Sequence, residues 1–206
     1  MHRSIVYIDG FNLYYGLKSK GWRRYYWLDI HKIALSILRP HQKLTAVKYF
    51  TARISANPGS PGKHKRQATF LDVLETLPDT KIYYGHYLTK SATCRNCGYT
   101  WDIPEEKMTD VNISVQMVTD AFNNNFDTAF LVSGDSDLAA PVETILQCYP
   151  EKRVIVVSPP NRQSRKLKSL ATGYINLGEA LLRNNLLPDT YIRPDGMILT
   201  RPPQWK

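Results

Sequence analysis

The sequence is poor in cysteine and has no long apolar run. Its 206 residues include only three cysteines, a small and odd number that fits a reducing compartment better than a disulfide framework. No apolar run approaches the length that crosses a bilayer. Because a strand-like segment begins within the first few residues, we expect no signal peptide, no membrane partner and a cytoplasmic location.

Acidic residues are fewer than basic ones. The chain has 18 Asp and Glu against 27 Lys and Arg, a formal net charge of +9. Lys and Arg gain affinity for polyanions by displacing counterions from phosphates, so a nucleic acid is a reasonable partner. The sequence has neither a Gly-rich phosphate loop nor an acidic nucleophile motif after its first strand-like segment, which argues against a phosphatase or nucleotide hydrolase.

Short apolar segments alternate with amphipathic, helix-like segments along the chain. The strand-like segments are 4–8, 44–54, 81–88, 128–132, 152–157 and 174–176. This alternation predicts a three-layer α/β/α domain with a mostly parallel central sheet of five or six strands.

The predicted elements form a single domain at 1–187, without internal repeats. A cysteine-containing segment at about 89–104 interrupts the alternation, and Pro and Gly mark a loop at 56–62. We expect the Pro-rich tail at 188–206 to be irregular, and it is a candidate for packing on a second subunit in a homodimer.

Acidic side chains follow two of the predicted strands. Asp9 ends the first strand, and Asp135 and Asp137 follow the strand at 128–132. The carboxyl ends of parallel strands meet at one edge of a sheet, where ligands bind, and Asp110 can reach that edge from the start of its helix. Taken alone, turn chemistry explains Asp9 as well as a function does, and a helix cap with a solvated turn acid is the favoured explanation of Asp135 and Asp137. The explanation without function is weaker for Asp110, whose helix is expected to pack against the sheet there.

Together, these four acids form the constellation of a two-metal nuclease. Carboxylates hold one or two Mg²⁺ or Mn²⁺ ions, which activate water and stabilise charge on phosphate oxygens. We therefore predict that Asp9, Asp110, Asp135 and Asp137 are both metal ligands and catalytic residues. Glu105 is expected, with its neighbour Glu106, in the opening turns of a helix, where the helix dipole favours carboxylates without any function.

Two basic clusters and an aromatic segment are candidate RNA contacts. The clusters are Lys63, Lys65 and Arg66, and Arg162, Arg165 and Lys166. The segment at 16–27 interleaves cations with aromatic rings, a pattern that suits single-stranded nucleic acid. A buried loop or a subunit contact explains the aromatic residues as well, and exposed cations are more often only a solvated face.

Cys94 and Cys97 form a C-x-x-C pair that resembles half of a zinc knuckle. A structural zinc site needs four ligands, and Cys148 is the only other cysteine. We favour metal-free structural cysteines over a Zn²⁺ site, and place a disulfide or redox role behind both.

Three motifs in a fixed order resemble a known family. They are IVYIDGFNLY at 5–14, KMTDV at 107–111 and LVSGDSDL at 131–138, and together they are far more specific than any one alone. They resemble the NYN domain family of PIN-like nucleases, in its bacterial DUF88 branch, where a C-x-x-C also occurs before the second motif. The resemblance implies a PIN-like fold and metal-dependent RNA cleavage.

The resemblance also implies roles for individual residues. The acidic metal site would consist of Asp9, Asp110, Asp135 and Asp137, while Asn12 and Ser133 would orient ligands or phosphate. The leading hypothesis is a Mg²⁺- or Mn²⁺-dependent endoribonuclease that acts on single-stranded or structured RNA. The alternative is a non-catalytic RNA-binding or regulatory module with the same fold.

Overall fold

The structure is a computed structural model, and it describes residues 1–56 and 59–206, with the backbone alone at 103 and 104. The predicted loop at 56–62 therefore lies partly outside the described residues, at 57 and 58. In chain order the strands are β1 His2–Asp9, β2 Gln42–Thr51, β3 Thr80–Tyr84, β4 His86–Thr93, β5 Thr100–Lys107, β6 Thr128–Val132, β7 Arg153–Ser158, β8 Gly173–Asn176, β9 Thr190–Ile192 and β10 Ile198–Thr200. The helices are α1 Gly10–Ser19, α2 Ile30–Ile37, α3 Lys63–Leu74, α4 Thr109–Phe122, α5 Ala139–Cys148, α6 Arg165–Leu170 and α7 Glu179–Asn184.

Six of these strands form the central sheet, in the spatial order β3-β2-β1-β6-β7-β8. All five neighbouring pairs are parallel. The chain builds one half of the sheet outward from β1 and the other half outward from β6, so the strand order reverses between these two strands. In open α/β sheets this reversal opens a crevice at the carboxyl ends of the strands, and ligands bind there.

Helices cover both faces of the sheet, and each face has its own apolar core. Alternate residues of β1 point to opposite faces: Val6 and Ile8 join the core under α1, α2 and α3, whereas Ile5 and Tyr7 join the core under α4, α5 and α6. The predicted three-layer α/β/α fold with a mostly parallel sheet of six strands is therefore confirmed.

The segment predicted as one strand at 81–88 is divided at Gly85. β3 belongs to the central sheet, while β4 pairs antiparallel with β5 in a separate hairpin. A Cβ atom at Gly85 would lie 2.5 Å from the backbone oxygen of Lys107, so the close approach of the two chain segments requires glycine there.

The prediction that Glu105 and Glu106 open a helix is wrong. Both residues belong to β5, and α4 begins only at Thr109. Met108 has a φ angle of 80°, and this left-handed residue turns the chain between the strand and the helix.

The C-terminal segment differs from the irregular tail that we expected. It forms the antiparallel hairpin of β9 and β10 and a 3₁₀ turn at Pro203–Trp205. The indole of Trp205 lies against the rings of Tyr26, Trp27 and Phe70, with centroids 5.8, 6.2 and 6.2 Å away. The segment thus packs on its own chain. No helix in the part of the chain that the structure describes has the length and apolarity that crossing a bilayer requires.

Candidate active site

Asp9 lies where β1 ends and α1 begins. One carboxylate oxygen accepts a hydrogen bond from the backbone N–H of Asn12, and the other accepts one from the Ser133 hydroxyl, each at 2.9 Å. The residue is 3% exposed. Asp9 therefore caps α1 and also connects the end of β1 to the end of β6, the two strands where the sheet order reverses.

Asn12 and Ser133 hold the turn after β6 in place. The side-chain oxygen of Asn12 accepts a hydrogen bond from the N–H of Gly134 at 3.0 Å, and the Ser133 hydroxyl accepts one from the N–H of Asp135 at 3.1 Å. A Cβ atom on Gly134 would lie 1.9 Å from the backbone oxygen of Arg162. The turn can therefore approach the segment after β7 only with glycine at this position.

The two acids of this turn have different environments. Asp135 is half-buried, and its side chain accepts a hydrogen bond from the N–H of Asp137 at 3.0 Å, which caps the 3₁₀ turn Ser136–Leu138. Asp137 is exposed and is not among the residues that line the cleft described next.

The carboxylates of Asp9, Asp110 and Asp135 share one small cleft of about 170 Å³. Asp110 reaches it from the first turn of α4, next to Glu106, whose side chain accepts hydrogen bonds from the N–H and hydroxyl of Thr109. The lining residues are Asp9, Phe11, Asn12, Tyr15, Glu106, Thr109, Asp110, Asp135 and Arg162.

Two acids of this cleft, Asp9 and Asp110, have raised pKa values. The pKa of Asp9 is raised to about 7, mainly by burial and to a smaller extent by the charges of Asp110 and Asp135, against the opposing effect of its two hydrogen bonds. The pKa of Asp110 is raised to about 6, mainly by burial and then by the charges of Asp135, Glu106 and Asp137. No Lys, Arg or His in the described ranges forms an ion pair with Asp9, Asp110 or Asp135. The cleft is therefore suited to a cationic ligand.

The donor atoms of the cleft fit a hard divalent cation in type, because Mg²⁺ and Mn²⁺ prefer carboxylate oxygens. Within residues 1–56 and 59–206, however, no three Asp, Glu, His or Cys side chains are arranged to hold one metal ion. Both oxygens of Asp9 already accept hydrogen bonds. A metal ion would therefore require the side chains of Asp110 and Asp135 to converge on it.

The six cations predicted to contact RNA lie in three places. Arg162 lines the acidic cleft. Lys63 and Arg66, at the start of α3, line a second and larger cavity of about 500 Å³. The three others line neither cavity: Lys65 on α3, and Arg165 and Lys166 on α6.

Our reading of the sequence missed Glu106 and the two rings of the cleft, Phe11 and Tyr15. Glu106 stands four residues before Asp110, but we attributed it to a helix terminus. A strand assignment at 100–107 would have placed it at a strand end, beside the other acids. No pattern in the sequence marks Phe11 or Tyr15, since both read as ordinary residues of an amphipathic helix.

Cys94 and Cys97 lie between β4 and β5 and are both free thiols. Backbone N–H groups of Cys97 and Asn96 donate hydrogen bonds to the Cys94 sulfur and lower its pKa. Gly98, at a φ angle of 69°, closes this turn by donating its N–H to the Cys94 carbonyl. No third Cys, His, Asp or Glu joins the pair as a metal ligand among the described residues.

Comparisons with known proteins agree with this architecture. The NYN domain matches residues 3–178. The chain is 29% identical over 196 residues to 6-hydroxy-3-succinoylpyridine 3-monooxygenase HspA of Pseudomonas putida (strain DSM 28022 / S16), covering 79% of this chain and 61% of that protein. The chain thus spans about three fifths of the length of this curated relative.

A solved structure has a similar fold. It is the crystal structure of a protein of unknown function from Vibrio parahaemolyticus RIMD 2210633, with a TM-score of 0.58 and 21% identity. The similarity covers 90% of this chain and 96% of that one, so the likeness extends over both molecules.

Proposed function

Because the chain belongs to the NYN domain family, whose fold is that of PIN-like nucleases, we propose that it is a metal-dependent endoribonuclease. The family confirms the resemblance shown by the three motifs, and its bacterial branch stays a prediction. The observation that carries the proposal is the group of carboxylates, Asp9, Asp110 and Asp135, in one cleft at the point where the strand order reverses.

In this proposal Asp110 and Asp135 are the direct ligands of one or two Mg²⁺ or Mn²⁺ ions. The buried Asp9 adds negative charge next to them, and the exposed Asp137 is a further ligand at the edge of the cleft. When bound, such an ion lowers the pKa of a water molecule and neutralises charge on the phosphate. Asn12 and Ser133 hold the Asp9 carboxylate and the turn of Asp135 in fixed positions through the hydrogen bonds described above.

Arg162 supplies the positive charge within the cleft itself. Its guanidinium can pair with the phosphate of a bound RNA. Lys63 and Arg66 extend the basic surface beyond the cleft. Further proposed phosphate contacts are Lys65 on α3 and Arg165 and Lys166 on α6. Single-stranded or structured RNA is therefore the proposed substrate.

Free cysteines and a net charge of +9 support a cytoplasmic RNA partner. A homodimer is also part of the proposal.

Cys94 and Cys97 can supply two of the four ligands of a structural Zn²⁺ site. A comparison of the zinc content of the purified wild-type protein with that of Cys94→Ser tests this. Equal zinc content in both proteins would reject the zinc site and favour metal-free cysteines.

The nuclease proposal is tested by incubating a mixed RNA pool with Mn²⁺ and either the wild-type protein or Asp135→Asn. The Asn side chain can still accept the hydrogen bond from Asp137, so the turn is expected to stay folded. Glu143→Gln, an exposed acid of α5, is the matched control for loss of one charge. Equal cleavage by the wild-type protein and Asp135→Asn would point to a contaminating nuclease and overturn the proposal.

Metal titration by calorimetry distinguishes the nuclease from a non-catalytic RNA-binding module. The nuclease is expected to bind Mn²⁺ at the cleft, with weaker binding after Asp135→Asn. RNA binding without any uptake of Mn²⁺ would favour the binding module.

A second candidate function is the binding of a hydroxylated pyridine with a succinoyl side chain, the kind of compound to which the name of the Pseudomonas relative refers. Such a compound combines an aromatic ring with a carboxylate, and the cavity of about 500 Å³ beside the cleft is lined by rings and cations. Calorimetric titration of this pyridine compound into the protein tests the candidate. An absence of heat at millimolar ligand would reject it.

A further inference from the structure

A cavity of about 500 Å³ lies next to the acidic cleft, and Phe11 and Tyr15 line both. Its walls come from α1, from the 3₁₀ turn Arg23–Tyr26, from α3 and from Trp205 near the C-terminus. Its volume lies within the range of about 300–1,000 Å³ that is typical of small-ligand sites, and it is about three times that of the cleft. The cavity can therefore hold a group as large as a nucleoside.

Aromatic rings form much of the cavity wall, and they present accessible faces. The ring of Tyr14 lies 5.3 Å from that of Tyr15 and 5.0 Å from that of Tyr26, at interplanar angles of 67° and 48°. Phe11 and Tyr87 meet edge to face at 6.2 Å. None of these pairs is stacked face to face, so these rings do not cover one another's faces.

The exposure of these rings separates them from the core. Tyr25 and Trp27, from the same part of the chain, are fully buried and belong to the apolar core. Tyr14 and Tyr26 are only half-buried, and Tyr15 is 42% exposed. Unlike Tyr25 and Trp27, these rings therefore keep part of their surface in contact with solvent.

The charged residues of the cavity wall are all positive. They are Lys18, Arg23, Lys63 and Arg66. None of the four forms an ion pair with a carboxylate in the described part of the chain. The ammonium of Lys63 lies 5.6 Å from the centre of the Tyr14 ring, and that of Lys18 lies 5.7 Å from the Tyr15 ring.

These cations repel one another within the cavity. Burial, followed by the charges of Lys18 and Arg66, lowers the pKa of Lys63. An anionic ligand would relieve the repulsion. Partly exposed rings beside cations without a carboxylate partner match the two parts of a nucleotide, a flat base and a phosphate.

We propose that this cavity is a nucleobase subsite, which takes one unstacked base of single-stranded RNA while the adjacent phosphates contact its cations. The strand then passes Phe11 and Tyr15 into the acidic cleft, so the seated base sets which phosphate lies over the carboxylates. The identity of the polymer rests on the proposed nuclease function, whereas the base and phosphate chemistry rests on the cavity itself.

The test measures RNA binding in the absence of cleavage. A labelled single-stranded RNA is titrated into Asp135→Asn, together with a series of the same RNA in which one abasic position moves along the strand. Loss of a stacked base is expected to weaken binding about tenfold at one abasic position. An equal effect at every position, or no effect at any, would overturn the subsite.

A pair of second substitutions assigns the effect to the cavity. Tyr14→Ala in the Asp135→Asn protein is expected to remove the abasic penalty, because the stacking partner is gone. Tyr14→Phe keeps the ring and is expected to keep the penalty. Thermal unfolding of each variant checks that it is folded, and a penalty of the same size in folded Tyr14→Ala and Tyr14→Phe proteins would overturn the assignment.

The outcome separates the subsite from the nuclease activity. RNA cleavage by the wild-type protein without any Tyr14-dependent abasic effect would overturn the subsite and leave the nuclease proposal standing. A Tyr14-dependent abasic effect without cleavage by the wild-type protein would support the subsite and overturn the nuclease.

Discussion

The acidic cleft and the aromatic cavity lie side by side at the start of α1, yet they have opposite character. The cleft has about 170 Å³ and four carboxylates, those of Asp9, Glu106, Asp110 and Asp135. The cavity has about 500 Å³, many rings and, among the described residues, no acidic residue in its wall. The cleft is therefore mainly negative, with Arg162 as a cation in its wall that forms no ion pair with Asp9, Asp110 or Asp135, whereas the charged residues of the cavity wall are positive.

The contrast fits the proposed binding of a phosphodiester chain to one surface. Like charges that are held together raise the free energy of the folded protein, and a ligand of opposite charge lowers it. The cavity is suited to the anionic strand and its bases, while the cleft is suited to the strand only in the presence of a cation. Four predictions test this division of roles.

The largest effect is expected from the cleft. Asp110→Asn removes one carboxylate that the proposed metal ion needs, so we expect the RNA cleavage rate to fall about 100- to 1,000-fold. RNA affinity is expected to stay the same or to rise slightly, since one negative charge is lost beside the strand. The cleavage rate at saturating RNA measures the first quantity, and a binding titration over a range of RNA concentrations without a divalent cation measures the second.

The matched control for Asp110→Asn is Glu143→Gln, which removes an exposed acid outside the cleft and is expected to leave cleavage unchanged. If weaker RNA binding accounted for the whole loss of rate in Asp110→Asn, the cleft would act in RNA binding and not in cleavage. The two regions would then not have separate roles.

The second prediction concerns stability and pH in the metal-free protein. The pKa of Asp9 is about 7 in the folded state and about 3.9 in an unfolded chain, so the folded protein keeps a proton that the unfolded chain releases. The free energy of unfolding should therefore fall as pH rises from about 4 to about 7, and change little from this group above pH 7.

The total fall attributable to Asp9 is at most about 4 kcal/mol, at about 1.4 kcal/mol for each pKa unit. Urea unfolding at pH 5 and pH 8 measures it. Asp9→Asn does not ionise; its one side-chain oxygen can accept the hydrogen bond of the Asn12 N–H, and its amide N–H can donate to the Ser133 hydroxyl oxygen. This variant should show a smaller difference between the two pH values. An identical difference in both proteins would contradict the pKa assignment.

The third prediction concerns metal binding. Mn²⁺ at a hundredfold excess over its dissociation constant should stabilise the protein by about 2.7 kcal/mol. At one fixed Mn²⁺ concentration the stabilisation should be larger at pH 8 than at pH 5.5, because Asp9 and Asp110, with pKa values of about 7 and about 6, carry their negative charge at the higher pH and attract the ion. Thermal unfolding with and without Mn²⁺ measures this, and equal stabilisation of the wild-type protein and Asp135→Asn would place the ion elsewhere.

The smallest effect is expected from single cations of α3. Removing one phosphate contact should reduce the slope of log affinity against log salt by about 0.7 for a single strand. Lys63→Gln removes a cation of the cavity wall, while Lys65→Gln removes an exposed cation of the same helix that lies outside the wall.

We expect the larger effect on RNA affinity in Lys63→Gln, measured by titration at several salt concentrations. Equal effects of the two substitutions would mean that the basic surface acts as a whole, and the cavity would lose its distinct role in the comparison.

The sequence predicts the sheet and the cleft far better than the cavity. Buried strands with an acid directly after them, such as β1 with Asp9, place those acids by the geometry of parallel sheets alone. The same local patterns do not specify the path of the chain after Tyr84, where the absence of a side chain at Gly85 lets the start of the β4–β5 hairpin approach Lys107 at the end of the hairpin. Glu106 was misassigned for this reason.

The cavity could not be predicted because its wall comes from distant parts of the chain. Tyr14, Lys63 and Trp205 meet only after the C-terminal segment folds back on α3 and the 3₁₀ turn before α2. No periodic pattern in the sequence encodes such a meeting. The aromatic and basic composition of the segment at 16–27 indicated the chemistry of the cavity but not its place.

The position of Trp205 has a practical consequence for the handling of the protein. This residue lines the cavity and is adjacent to Lys206, so a purification tag fused to Lys206 would emerge beside the surface that is proposed to bind RNA. Met1 is 87% exposed and precedes the start of β1, at the edge of the sheet opposite the cleft. A tag before Met1 therefore leaves both regions open, and affinities measured with tags at the two ends should differ.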